Sequence, residues 1–178
     1  MKIVTLLRHA KSSWNDDVAR DLDRPLNAKG HRAAETVGAH LKHIGLGWDA
    51  AIASPAVRVA ETIKAFEAGY GRAAGATSDR RVYMADAATL LDVIHELPAS
   101  TDSVLLIGHN PGLEDLVFML TPADENPYRL AVDEKYPTAT VCQMRFDVDA
   151  WDEVEEGGGT IALLVRPRDL DPQLGPDS

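Results

Sequence analysis

Three short stretches carry side chains suited to handling a phosphoryl group. Arg8-His9 follows the apolar run Ile3 to Leu7. Arginine offers a planar fork to phosphate oxygens. A neutral imidazole can attack phosphorus, and a neighbouring cation favours that neutral form. Arg58 follows Ser54-Pro55, and His109 lies in Gly108-His109-Asn110-Pro111-Gly112. Two histidines and two arginines in one pocket make a phosphoryl-transfer site that needs no cofactor. Their cationic surroundings would repel a divalent metal, so no metal is expected. Each stretch also has an ordinary reading: a strand-end cap, a solvent-facing arginine, a structural histidine.

The elements needed to bring these residues together are legible in outline. Ile3–Leu7 reads as a buried strand, with Arg8 and His9 at its carboxyl end, where open α/β sheets bind ligands. Asp16 to Arg24 reads as a charged surface loop. Asn27 can cap a helix whose apolar face holds Ala33, Ala34, Val37, Leu41 and Ile44, ending at Gly45. Trp48–Ala53 reads as a second strand. Ser54 then caps, and Pro55 opens, a helix with the stripe Val59, Ile63 and Phe66, stopped by Gly69. Arg58 in its first turn is unfavourable with the helix dipole, and a bound anion would offset that cost.

Residues 71–79 read as a loop and Arg81–Met84 as a short strand. Asp86 can cap the next helix. Asp102–Ile107 is the clearest buried strand, and Asn110-Pro111 would open the helix after it. Residues 121–139 lack clear periodicity and hold Pro122, Pro127 and Pro137. Val141–Phe146 and Ile161–Val165 read as strands that pair antiparallel, joined through Gly157-Gly158-Gly159. Strands and helices alternate, so the expected fold is α/β, with helices on both faces of a mostly parallel sheet carrying one antiparallel strand. A single domain is expected over 1–165, and 166–178 reads as a poorly ordered tail.

The chain has 178 residues, 45% hydrophobic and 26% charged, as ordinary globular domains do. A net charge of −10 argues against nucleic acid and anionic membranes as partners. If the substrate is a phosphate, a local basic pocket must overcome that field. The lone cysteine, Cys142, rules out an intrachain disulfide and reads as a buried thiol. Met1-Lys2 leads straight into a strand, and no run approaches a membrane span, so a cytoplasmic protein is expected.

Leu7-Arg8-His9-Ala10-Lys11-Ser12-Ser13-Trp14-Asn15 resembles the Arg-His-Gly signature of the histidine phosphatase superfamily, whose fold is phosphoglycerate mutase-like. Ser54-Pro55-x-x-Arg58-x-x-Glu61-Thr62 resembles its second motif and Gly108-His109-Asn110-Pro111 its third. Asp23-Arg24-Pro25-Leu26-Asn27-x-x-Gly30 resembles a recurring segment between them. Ala10 in place of glycine is similar to the small phosphohistidine phosphatase, SixA-type, branch.

The resemblance implies that His9 is the nucleophile that becomes phosphohistidine. It implies that Arg8, Arg58 and His109 bind the phosphoryl group, and that Asn15 contacts phosphate; a loop role suits Asn15 equally. The superfamily's general-acid Glu has no counterpart in Tyr83-Met84-Ala85-Asp86. Asp86 is a candidate substitute, although its helix cap already accounts for it. The missing Glu argues against mutase activity and favours leaving groups that need no proton. The expected function is a metal-independent phosphatase acting on phosphohistidine protein or another phosphoramidate. The alternatives are a phosphatase for a small metabolite ester and a catalytically weak phospho-binding module.

Overall fold

The structure is a computed structural model that describes residues 1–176. β1 (Lys2–Arg8), β2 (Ala50–Ala53), β3 (Ala76–Ser78), β4 (Ser103–Gly108), β5 (Val141–Phe146) and β6 (Gly159–Val165) form one sheet in the order β3-β2-β4-β1-β5-β6. β3, β2, β4 and β1 run parallel, and β5 is antiparallel to both of its neighbours, β1 and β6. The sheet is therefore mostly parallel with one antiparallel strand, as expected.

Side-chain alternation along the central strands feeds two cores. Leu7, Leu105, Ile107 and Val141 face α1 (Ala28–His43) and α2 (Val57–Tyr70), meeting Val37, Leu41, Val59 and Phe66. Val4, Leu6, Leu106 and Met144 face α3 (Ala87–His95), α4 (Gly112–Leu120) and α5 (Pro127–Glu134), meeting Leu90, Ile94, Leu116 and Val132. Helix, sheet and helix make three layers. Cys142 is buried on the second side, and burial pushes its thiol up to about 12. No described helix is long and apolar enough to cross a membrane.

Register sets up the site. Arg8 pairs with Gly108, and Ala53 pairs with Ile107. His9, Ser54 and His109 are the next residues along these three parallel strands, so they emerge side by side at one edge.

The structure corrects five local expectations. Arg81–Met84 is not a strand: residues Arg80–Val82 make a 3-10 turn, and the strand is β3, Ala76–Ser78. β3 is an edge strand with every residue exposed, so no apolar pattern marks it. α2 begins at Val57 with Ala56 as its N-cap, two residues later than Ser54-Pro55 suggests. It also runs through Gly69 and ends at Gly71, whose φ of 88° suits glycine. Residues 121–139 contain α5, capped by Asn126. Only Arg129 and Val132 of that helix are buried, too few to print a period on the sequence.

The last correction concerns the tail. Residues 167–170 form α6 (Pro167–Leu170), residues 172–174 form a 3-10 turn, and Pro167 and Leu174 are buried. Lys29 Nζ donates to Gly175 O at 2.6 Å and ties this segment to α1. The final two residues of the expected tail lie outside the described residues.

Candidate active site

A cleft of about 430 Å³ opens at the carboxyl ends of β1, β2 and β4. Its walls include Arg8, His9, Lys11, Arg24, Arg58 and Asp21. Four cations and a single carboxylate among these six make the pocket basic in a chain of net charge −10.

His9 follows β1 directly and is 7% exposed. Its Nδ1 lies 2.7 Å from Ala10 O. A carbonyl can only accept, so Nδ1 carries the proton and Nε2 keeps its lone pair. Burial, reinforced by His109, Arg8 and Arg58 and opposed by the Ala10 bond, lowers the imidazole to about 3. His9 is therefore neutral near pH 7. Arg8 Nη1 donates to Tyr136 O at 3.0 Å, and Asn110 Nδ2 reaches the same carbonyl at 3.1 Å.

Arg58 stands one residue into α2 and is 1% exposed. Its Nη1 donates to Asp21 O at 2.8 Å and its Nη2 to Asp21 Oδ2 at 2.9 Å. Nη2 also lies 3.3 Å from His109 Nδ1. Arginine only donates, so His109 Nδ1 accepts, and its Nε2–H donates to Ser54 Oγ at 2.7 Å. Burial and then Arg58 lower His109 to about 4, with the Asp21 carboxylate pulling the other way. The two imidazole centres are 5.3 Å apart. His109 does not reach the cleft wall; it stands behind Arg58 with both nitrogens engaged.

Asn15 and Asp86 are not brought to the cleft wall. Asn15 is exposed, and its backbone N–H donates to Ser13 Oγ at 3.3 Å. Asp86 is exposed and caps α3, accepting from Thr89 N at 2.9 Å, a bond that holds its carboxyl below the usual range. Sequence reasoning missed Asp21, Arg24, Tyr83 and the role of Ser54. Arg24 donates to Ser12 Oγ and stacks on Trp14, with its guanidinium carbon 3.7 Å from the ring centre. Arg24 lay within the Asp23-Arg24-Pro25-Leu26 segment, where a signal existed. Asp21 and Tyr83 had none.

The motif residues that do not touch the cleft shape it. Thr62 Oγ1 accepts from Ala10 N at 2.9 Å, and Glu61 Oε1 accepts from Leu26 N at 2.8 Å. Asn27 N donates to Lys11 O at 3.0 Å, and a Cβ on Gly30 would lie 2.2 Å from that same oxygen. Gly30 is glycine because α1 touches the backbone of the His9 loop.

Comparison with known proteins places this geometry. Residues 4–81 match the model of the histidine phosphatase superfamily (branch 1). An uncharacterised protein of Mycobacterium tuberculosis is 30% identical over 164 residues, spanning 91% of this chain and all of its relative. The chain belongs to the histidine phosphatase superfamily. Within that superfamily the chain is a phosphatase of the SixA type. A provisionally named phosphohistidine phosphatase SixA from Nakamurella multipartitia superposes with a TM-score of 0.78 at 25% identity, covering 93% of this phosphatase and 96% of that chain. A second such structure, from Agrobacterium tumefaciens, gives 0.74 at 27% identity, covering 93% and 98%. The sheet order and flanking helices of this phosphatase are thus those of a phosphoglycerate mutase-like fold. Among its described residues, no three His, Cys, Asp or Glu side chains gather where they could hold a metal ion.

Proposed function

We propose that this chain is a metal-independent phosphatase that works through a phosphohistidine on His9 and acts on phosphohistidine protein or another phosphoramidate. The observation that carries the reading is the proton on His9 Nδ1, fixed by Ala10 O at 2.7 Å. It leaves Nε2 as an unprotonated nucleophile on the wall of a basic cleft.

Nε2 attacks phosphorus, and the bond from phosphorus to the leaving group breaks with its electron pair on the leaving atom. Arg8 and Arg58 receive the charge that gathers on the phosphoryl oxygens. His109 supports Arg58 from behind. Water then attacks the phosphohistidine, releasing inorganic phosphate and restoring His9. The similar structures named phosphohistidine phosphatases support the P–N preference. So does the cleft wall, whose one carboxylate, Asp21, is lowered to about 2, first by the Tyr83 hydroxyl, and so has no proton to give near pH 7. A phosphohistidine ring protonated on its other nitrogen departs as neutral imidazole and needs no such donor. In this reading the protein is cytoplasmic and its partner is a phosphorylated protein.

The test is a mid-reaction quench of the EDTA-treated enzyme with a 32P-labelled phosphohistidine protein. The expected result is acid-labile, base-stable label on His9 and no turnover by His9→Ala. Turnover that stops on chelation and returns with zinc or manganese would support metal chemistry instead. Faster turnover of sugar phosphates than of phosphoramidate would favour the metabolite phosphatase.

A further inference from the structure

Asp21 makes a contact with Arg58 that the phosphatase reading alone does not require. One residue grips the guanidinium twice: its backbone oxygen takes Nη1 at 2.8 Å and its carboxylate takes Nη2 at 2.9 Å. Both bonds fall on the outer edge of the fork, the edge made by the two terminal nitrogens. On the other edge Nη2 donates to His109 Nδ1 at 3.3 Å and lies 3.6 Å from Met84 Sδ, which leaves Nε. Arg58 Nε is buried and has no hydrogen-bond partner among the described residues. A buried donor left without an acceptor is costly, and arginine never gives up its charge. Arg58 borders the cleft, and an anion bound there would offset its buried charge.

The grip is itself held. Tyr83 Oη donates to Asp21 Oδ2 at 2.6 Å, and Arg24 Nε and Nη2 each reach Oδ1 at 3.3 Å. Tyr83 also stands at 5.4 Å, edge-on, from the His109 ring, and the Arg58 guanidinium carbon lies 6.0 Å from the Tyr83 ring centre. The carboxylate thus cannot swing without breaking bonds to three side chains.

We propose that Asp21 is a positioning residue for phosphoryl transfer: it holds both terminal nitrogens of Arg58 so that the guanidinium keeps its place on the wall of the phosphoryl cleft, with Tyr83 locking Asp21 in turn. The inference rests on the proposed function, in which Arg58 receives the phosphoryl group. It goes beyond that reading by naming what aims the arginine. It also has a definite opposite. Were Asp21 a resident anion that the phosphoryl group must displace, its removal would tighten anion binding.

The experiment compares wild type with Asp21→Asn, Asp21→Glu, Tyr83→Phe and the double variant. The surface variant Asp23→Asn serves as control, since among the described residues the Asp23 carboxylate pairs only with Arg20 in the same loop. Each is assayed on p-nitrophenyl phosphate, titrated with vanadate as a five-coordinate mimic, and melted by circular dichroism. Asp21→Asn should lower kcat about tenfold or more with KM nearly unchanged, and weaken vanadate about tenfold, because the lost alignment counts most in the transition state. Tyr83→Phe should lose about threefold, and nothing further in the Asp21→Asn background, because it acts through Asp21. Asp21→Glu should recover part of the loss, and Asp23→Asn should match wild type.

A folded Asp21→Asn with wild-type kcat and vanadate affinity would sink the proposal, as would tighter vanadate binding. If Asp21→Asn does not fold, Asp21→Glu and Tyr83→Phe decide the matter by the same readouts. Wild-type protein without turnover, or an active His9→Ala, would overturn the phosphatase mechanism and this inference with it. Normal wild type beside a dead His9→Ala and an unimpaired Asp21→Asn would remove this inference alone.

Discussion

His109 Nε2 lies 2.7 Å from Ser54 Oγ, and this bond decides which face of the imidazole meets Arg58. Ser54 also accepts the Ala56 N–H at 3.2 Å, which fixes the hydroxyl itself. Ser54→Ala leaves a buried N–H unpaired, a cost of about 1–3 kcal/mol. The expected result is a lower melting temperature and a kcat reduced about tenfold, the ring no longer being held against Arg58. Nitrogen NMR of His109 should show one tautomer, protonated at Nε2, in wild type and a mixture in the variant. A single unchanged tautomer in Ser54→Ala would refute this assignment.

Stability should fall in mild acid. His9 and His109 stay neutral in the fold down to about 3 and about 4, whereas an unfolded histidine takes up its proton near 6.5. Below pH 6.5 the unfolded chain binds protons that the folded chain refuses, so stability drops until the folded values are reached. Asp21 adds to the loss lower down: its carboxyl is lowered to about 2, so its contribution is present above 3.8 and fades below it. Urea midpoints should decline from pH 6.5 to 4, and His9→Asn should flatten that decline. A midpoint independent of pH across this window would show that the two rings are not held neutral.

The leaving group should control the rate. Alkoxides need a proton in the transition state, a service worth roughly 10²–10⁴-fold, and among the described residues no protonated carboxyl lines the cleft. A plot of log(kcat/KM) against leaving-group pKa should slope steeply downward. Asp86→Asn should leave that slope unchanged, because Asp86 caps α3 with a carboxyl already held ionised by Thr89. A shallow slope that steepens in Asp86→Asn would make Asp86 the proton donor.

Gly30→Ala should damage both stability and activity. Its methyl would sit 2.2 Å from Lys11 O, and relief requires moving either α1 or the loop that carries His9 and Lys11. Overpacking of this kind costs about 1–3 kcal/mol. Denaturant unfolding and kcat on p-nitrophenyl phosphate should fall together. Wild-type behaviour in both would mean that the helix gives way without disturbing the loop.

Much of the architecture was readable because the buried strands are apolar runs of the right length and the helices α1, α3 and α4 carry clear stripes. β3 was not readable, since an exposed three-residue edge strand has no reason to be apolar. α5 was hidden because its burial rests on two residues, one of them an arginine. Ser54 was misread for a local reason: a serine before a proline resembles a helix cap, but its hydroxyl is used by His109 from another strand. In the same way Asp21 looked like any acid in a charged loop. Its two bonds to Arg58 join residues far apart in sequence, and such pairings leave no mark on either stretch alone.

Arg58, Glu61 and Thr62 occupy one side of α2, spaced so that one rigid helix supplies a cleft wall and also fastens the opposite wall at Ala10 and Leu26. Between those fastenings Asp21 is tied to Arg58, and Arg24 to Asp21. Residues 15–20 lie between Trp14 and Asp21, outside the fastenings at Ala10 and Leu26. The rim is coupled to the site below it: Trp14 stacks on Arg24, and Arg24 holds the Asp21 carboxylate that grips Arg58, so remodelling the rim at Trp14 reaches the phosphoryl site.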